Sequence, residues 1–142
     1  MADEPVVFAR LSDAPITLDA VTTAVGADAA GAVVTIAGIV RDHDGGRAVL
    51  SLDYEAHPSA AEVIAAVAAT VAADFPGVRV AIEHRVGSLV VGDLALACAV
   101  SSAHRAEAFA ACSRLVDEVK RRVPIWKQQH FADGSSEWVG SL

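Results

Sequence analysis

The order of hydrophobic and polar positions divides the chain into short segments with either a strand-like or a helix-like period. Runs rich in β-branched residues predict strands at residues 5–11, 31–41, 48–54, 78–86 and 94–101, followed by short strands after Pro124 and around Trp138. We expect residues 31–54 to form a hairpin with a loop longer than two residues, because the polar segment between the two runs contains Gly45 and Gly46.

Three segments have helical spacing. Thr17 is a suitable cap for a short helix that runs towards Val25. An alanine-rich helix begins at Pro58 and continues to about Ala73, and its predicted apolar stripe is Ala61, Ile64, Ala65, Ala68 and Val71. The longest helix begins at Ser102 or Ala103 and ends before Pro124, and its predicted core face is Ala108, Phe109, Cys112, Val116 and Val119.

The resulting order β-α-β-β-α-β-β-α-β-β predicts an α+β fold with a mostly antiparallel sheet, two longer helices and one short helix. The 142 residues show no repeat or linker and are expected to form one domain, 1–142. Hydrophobic residues make up 54% of the chain and charged residues 20%, which is a globular composition.

The net charge of −7 argues against binding to bulk nucleic acid, which needs concentrated positive charge. The apolar runs are too short to span a bilayer, so no membrane partner is expected. Residues 1–10 lack a basic start and an apolar core, so we expect no signal peptide and a cytoplasmic protein.

The chain contains nine arginines but only two lysines, Lys120 and Lys127. A lysine amine can lose its proton when it is desolvated and then act as a base or nucleophile, whereas a guanidinium stays protonated. Both lysines lie in the locally basic stretch from Arg105 to Lys127. The alternative is that codon bias alone explains the excess of arginine and that the two lysines have no special role.

Two further sites carry cationic side chains. His104 and Arg105 stand where a strand passes into the longest helix, and free N–H groups at a helix start favour an anion. The alternative is that His104 only caps its own turn. Arg41 ends an apolar strand and is either a cation at a pocket rim or a solvated strand end.

Other polar or reactive residues indicate structure more than chemistry. Cys98 and Cys112 lie in apolar surroundings and are predicted to be buried structural thiols. The segment 42–44 (Asp-His-Asp) is expected to be a turn and not a metal site. Alternation along its strand should expose one of the pair His84 and Arg85. The chain has no dinucleotide, P-loop or serine-hydrolase motif.

Five ordered segments together resemble the large subunit of molybdopterin synthase over nearly the whole chain. They are residues 31–41, 52–55 (Leu-Asp-Tyr-Glu), 84–87 (His-Arg-Val-Gly), 103–109, and 120–127 (KRRVPIWK) with Asp133-Gly134 and Trp138-Val139. The last segment, with Val-Pro-Ile-Trp-Lys ending seven residues after a helix lysine, is the most specific.

The resemblance implies an α/β-hammerhead type of fold and a homodimer that carries one small ubiquitin-like subunit at each end, making a heterotetramer. The small subunit would insert a C-terminal Gly-Gly thiocarboxylate into a pocket of this chain. Two such sulfurs would convert cyclic pyranopterin monophosphate to molybdopterin by forming its dithiolene, without a metal or redox cofactor. A non-catalytic module that binds the pterin phosphate or the partner is the alternative.

The motif positions also imply roles for individual residues. The catalytic residues would be Lys120, in acid–base or covalent chemistry, and Lys127, in binding an intermediate or carboxylate. The substrate-binding residues would be Ile39, Val40, Arg41, His104, Arg105, Gln128 and Gln129. Many relatives have an acid two residues after the second lysine, and with Gln129 at that place no salt bridge is expected there.

The distance between two of these residues predicts a composite site. His104 and Lys120 are sixteen residues apart on one predicted helix, which corresponds to ~24 Å at 1.5 Å per residue. Side chains at that separation cannot meet on one small pterin. We therefore predict a site at the dimer interface, with Arg41, Lys120 and Lys127 from one chain and His104 and Arg105 from the other. A broken helix, or a purely structural cap, is the alternative.

Overall fold

The computed structural model describes residues 4–140, which form three helices and nine strands. In chain order they are β1 (Val6–Ser12), α1 (Leu18–Ala24), β2 (Ala32–Ile39), β3 (His43–Asp44), β4 (Arg47–Ala56), α2 (Ala60–Asp74), β5 (Arg79–Arg85), β6 (Gly87–Val90), β7 (Leu94–Ser102), α3 (Arg105–Arg122), β8 (Ile125–Phe131) and β9 (Ser136–Val139). The predicted α+β fold, with two longer helices and one short one, is confirmed.

The first sheet has the strand order β1-β5-β7-β2, in which only β1 and β5 run parallel. Helices α2 and α3 cover one face and bury it together with Ile82, Cys98 and Val100. The short helix α1 covers the other face, where the alanines at 81, 97 and 99 leave room for it. Because both faces are covered, β7 is buried along almost its whole length and shows no alternation of polar residues.

The second sheet has the order β3-β4-β8-β9, and β6 also pairs with β4. All of these pairs are antiparallel. A small cluster of Val40, Leu52, Leu89 and Ala95 fills the space between this sheet and the end of β7. The junction of the two sheets is where the cavity described below lies.

The predicted hairpin of residues 31–54 is wrong. β2 pairs with β7 in the first sheet, and β4 pairs with β8 and β6 in the second. The chain changes sheets after β2, where Val40 exchanges backbone hydrogen bonds with the loop before β7. Only the two-residue strand β3 folds back on β4, through Gly45 and Gly46 at positive φ. The pattern also missed β6 as a separate strand.

The predicted core faces of the two longer helices need correction. Phe109 of α3 is 61% exposed, although Ala108, Cys112, Val116 and Val119 are buried as predicted. In α2, Ala61 and Ala65 are exposed, and the buried positions are Ala60, Ile64, Val67, Ala68, Val71 and Ala72. A helix made mainly of alanine and valine has a weak amphipathic pattern, so its orientation is set by tertiary packing.

The prediction that both cysteines are core residues is confirmed. Cys98 on β7 and Cys112 on α3 are almost completely buried free thiols, with their sulfurs 3.9 Å apart. The contact with the Cys112 sulfur, together with burial among apolar side chains, raises the pKa of Cys98. A thiol that resists ionisation in this way is a packing element.

Candidate active site

A cavity of about 400 Å³ opens at the junction of the two sheets. Its wall contains three cationic side chains, two other polar ones and a short apolar strip. The lining residues are Gly38, Ile39, Arg41, Tyr54, His84, Ala95, Leu96, Lys120 and Lys127. The site therefore has a positive potential, which suits a small anion.

The end of α3 and the start of β8 bring the two lysines to one place. Lys120 lies in the last turn of α3, which ends at Arg122 just before Pro124. After the turn, β8 pairs with β4 so that Lys127 lies opposite Tyr54. Directly opposite residues of an antiparallel pair point to the same face, so both side chains face the cavity.

Lys127 differs from Lys120 in its surroundings. Lys127 is half-buried, and the loss of solvent around its amine lowers its pKa. The carboxylate of Asp44 raises this pKa, whereas the charges of Arg41 and Lys120 lower it further. Lys120 is exposed. A neutral amine is therefore more readily formed on Lys127 than on a fully solvated lysine.

Asp44 links β3 to β8 beside the cavity. The side-chain amide of Gln129 donates a 2.8 Å hydrogen bond to one of its oxygens, and Arg41 lies 3.5 Å from the other. The bond from Gln129 is the main cause of the lowered pKa of Asp44, and the charges of Lys127 and Arg41 contribute to it. Gln129 thus hydrogen-bonds an acid supplied by another strand.

The cavity also contains two residues to which the sequence pattern assigned no chemistry. His84 on β5 is buried and Tyr54 on β4 packs against it, edge to face, with ring centroids 4.9 Å apart. Alternation along β5 was expected to expose one of His84 and Arg85, and the more exposed one is Arg85. Because β5 is buried at five consecutive positions, alternation gave no signal that singled out His84.

The remaining predicted site residues are distributed around the cavity. Ile39 lines it, whereas Val40 is buried in the small cluster beneath it. Gln129 does not line the cavity, and its side chain bonds Asp44. Gln128 lies on the opposite face of β8, where its side chain bonds Ser136. Of the seven predicted binding residues, only Ile39 and Arg41 touch the cavity directly.

His104 and Arg105 lie elsewhere, in a separate cavity of about 440 Å³ at the start of α3. Gly31 and Ala32 form its other side, and a Cβ at Gly31 would lie 2.5 Å from the carbonyl oxygen of Ala103. His104 occupies the N-cap position but makes no side-chain capping bond, and α3 is continuous. Neither a structural cap nor a broken helix therefore explains these residues.

Within residues 4–140, no group of three or more His, Cys, Asp or Glu side chains is arranged to hold a metal ion. The segment 42–44 instead begins a small hairpin, in which Asp42 bonds His43. None of the helices in this part of the chain is long and apolar enough to cross a membrane.

The chain is similar to known proteins in both sequence and structure. It is 43% identical to the molybdopterin synthase catalytic subunit of Nostoc sp. over 89% of this chain and 78% of that one. It is 40% identical to molybdopterin synthase catalytic subunit 1 of Mycobacterium tuberculosis over 94% and 90% of the two chains. The crystal structure of molybdopterin synthase from Staphylococcus aureus superposes with a TM-score of 0.87 at 33% identity, covering 93% of this chain and 96% of that one.

The superposition confirms the fold type that the sequence resemblance implied. The family model described as MoaE protein matches residues 11–122, which include most of the cavity-lining residues. This chain therefore belongs to the MoaE family, in which its close relatives are catalytic subunits of molybdopterin synthase.

Proposed function

We propose that this chain is a sulfurtransferase that converts cyclic pyranopterin monophosphate to molybdopterin. The observation that carries the proposal is the convergence of both lysines of the chain, with Arg41, on one cavity of about 400 Å³. That volume and charge suit a pterin with one phosphate. Binding an anion alone would need only arginine, so the two lysines favour chemistry over a binding module.

The cations have separate tasks in this proposal. Arg41 is positioned to bind the phosphate by charge-assisted hydrogen bonds. Lys127, whose amine is desolvated, accepts and returns protons as sulfur replaces oxygen on the substrate. Lys120 is exposed at the end of α3 and is accessible to an arriving peptide terminus.

The sulfur donor in this proposal is the C-terminal thiocarboxylate of a small ubiquitin-like subunit. The thiocarboxylate sulfur first attacks the substrate carbon and displaces its oxygen, so that the terminus is held as a thioester. Water, deprotonated by Lys120, then attacks the acyl carbon and breaks the acyl C–S bond, which leaves the sulfur on the pterin and releases the terminus as a carboxylate. Relatives that are named catalytic subunits imply a separate partner subunit, which agrees with a cavity that lacks any sulfur donor of its own. We place the reaction in the cytoplasm.

A second copy of the chain completes the site in our proposal. His104 and Arg105 lie outside the lysine cavity and have no local structural task. In a two-fold dimer, the start of α3 in one copy can lie beside the end of α3 in the other. The partner copy would then supply a histidine and a guanidinium to a substrate held by Arg41 and the lysines.

The decisive test is reconstitution. The purified chain is mixed with cyclic pyranopterin monophosphate and a thiocarboxylated small subunit, and dithiolene is measured. Formation of molybdopterin supports the synthase. Tight pterin binding without conversion would instead show a binding module.

Arg121→Ala is a matched control for variants of Lys120. It removes a cation from the same helix turn, where Arg121 is exposed and paired with Glu118 at 2.5 Å. Its activity should stay close to that of the parent chain. A small subunit with an ordinary carboxylate should give no product.

A further inference from the structure

His84 is a polar side chain in the cavity to which the chemistry above assigns no role. Only 2% of its surface is exposed, although it lines the space beside Lys120 and Lys127. A buried imidazole needs hydrogen-bond partners, because an unsatisfied polar group away from water costs free energy. The partners of its two ring nitrogens therefore indicate what it does.

One of the nitrogens is satisfied within the protein. Nδ1 lies 2.7 Å from the backbone carbonyl oxygen of Arg85, which can only accept, so Nδ1 carries the proton and donates. In the neutral ring Nε2 is then an acceptor. Within residues 4–140, Nε2 has no hydrogen-bond partner, and it is not among the fully buried polar atoms without a partner, so it is open to the cavity. The edge-to-face contact with Tyr54, at an interplanar angle of 85°, holds the ring in this orientation.

The surroundings keep this acceptor unprotonated. Burial is the main cause that lowers the pKa of His84 to about 4. The hydrogen bond to the Arg85 carbonyl acts in the opposite direction and raises this pKa, whereas the charge of Lys120 lowers it further. The three cationic side chains in the cavity wall are hydrogen-bond donors while charged. His84 thus supplies what they lack, a neutral acceptor.

We propose that Nε2 of His84 accepts a hydrogen bond from an N–H group of the bound pterin and thereby orients its ring. This inference rests on the proposed function. Ionised phosphate and carboxylate groups have no N–H and are bound by the cations, whereas a reduced pterin has N–H donors on its rings and its amino group. His84 would then bind the pterin ring of the substrate, and Arg41 would bind its phosphate. A buried acceptor also discriminates against an analogue without the donor, because Nε2 would then be desolvated and unpaired.

Two variants of similar size separate hydrogen bonding from packing. His84→Leu removes both ring nitrogens, whereas His84→Gln retains an acceptor of similar reach. We expect the affinity for cyclic pyranopterin monophosphate, measured by calorimetry on the homodimer, to fall ~10-fold in the leucine variant, which corresponds to one hydrogen bond. The glutamine variant should recover most of this loss. Affinity for inorganic phosphate should be unchanged in both.

Pterin affinity in the leucine variant within two-fold of the parent chain would overturn the proposal. Equal losses for pterin and inorganic phosphate would do the same, because they would indicate a general distortion of the cavity.

A measurement on the unsubstituted chain avoids the risk that a variant does not fold. With ¹⁵N-labelled histidine, and with the His84→Gln spectrum as the assignment control, the Nε2 resonance of His84 should shift on addition of the pterin and not on addition of inorganic phosphate. Saturable pterin binding without that shift would refute the role of His84 and leave the synthase intact. If the parent chain neither binds nor converts the pterin, the proposed function fails and this inference fails with it.

Discussion

A site shared between two copies of the chain makes a quantitative prediction about mixtures of inactive variants. α3 runs without a break for 18 residues from Arg105 to Arg122. Arg105 and Lys120 are fifteen residues apart in it, so their Cα atoms are separated by ~22 Å at 1.5 Å per residue. They also line different cavities. Any substrate that contacts both must therefore contact two chains.

The expected activity of the mixture follows from the geometry. Lys120→Ala and Arg105→Ala should each be nearly inactive alone, because every site in either homodimer lacks one residue. After random subunit exchange between equal amounts, about half of the dimers are mixed. Each mixed dimer has one site with both residues intact and one that lacks both, so about a quarter of all sites are restored.

The assay is dithiolene formation after exchange has been verified by native mass spectrometry. A mixture of Lys120→Ala with Lys127→Ala is the matched control, because both lysines come from the same chain and every site of a mixed dimer then lacks one of them. The control should show no recovery. Recovery in both mixtures, or in neither despite complete exchange, would refute the shared site.

Four other substitutions test separate features of the site and of the core. Lys120→Arg should keep phosphate affinity within a few-fold but lower the rate by about 10²–10⁴-fold, because Arg cannot offer a neutral amine; a rate within a few-fold of the parent would show that only charge matters. Cys98→Ala and Cys112→Ala should remain active and lose about 1–2 kcal/mol of unfolding free energy in denaturant titrations, as expected for small core truncations; inactivity of a folded variant would contradict this. Asp44→Asn removes a charge that raises the pKa of Lys127, so the rise of kcat/KM with pH should move to lower pH; a move to higher pH would exclude Lys127 as the titrating base.

Local patterns were sufficient to locate most of the helices and strands. Thr17 caps α1 through its side chain, and the proline at 124 follows the end of α3, both as expected. The burial of Cys98 and Cys112 followed from their apolar neighbours. These features depend on residues close in sequence, whose conformational preferences do not require the rest of the fold.

Strand pairing could not be predicted in the same way. The runs that became β2 and β4 are adjacent in sequence and separated by a glycine-rich turn, which is typical of a hairpin. Their true partners lie much further along the chain, β7 for β2 and β8 for β4. Which partner a strand takes depends on packing of whole layers, and β-propensity carries little information about it.

The candidate site was predicted in part for the same reason. The rarity of lysine made Lys120 and Lys127 candidates, and Arg41 stood at the end of an apolar strand, but only the family resemblance implied site roles for all three. His84 was missed because a histidine in a strand has no distinctive spacing, and its contact with Tyr54 of β4 is formed only in the folded chain. Gln128 was predicted from its motif position, but neighbours in a strand point to opposite faces, and its side chain bonds Ser136 on the face away from Lys127.

The chemistry of the cavity therefore depends on the register of β8. Lys127 faces the cavity because it pairs with Tyr54, and Gln129 reaches Asp44 because it lies two residues further on the same face. A shift of one residue would turn both outward and bring Trp126 and Gln128 inward. The turn at Pro124 limits such a shift, since its carbonyl accepts a hydrogen bond from the backbone of His57 just beyond β4. The turn at Pro124, which follows the end of α3, thus determines that the Lys127 side chain faces the cavity. Insertion of one residue between Lys120 and Lys127 should abolish activity even if both lysines and the fold are retained.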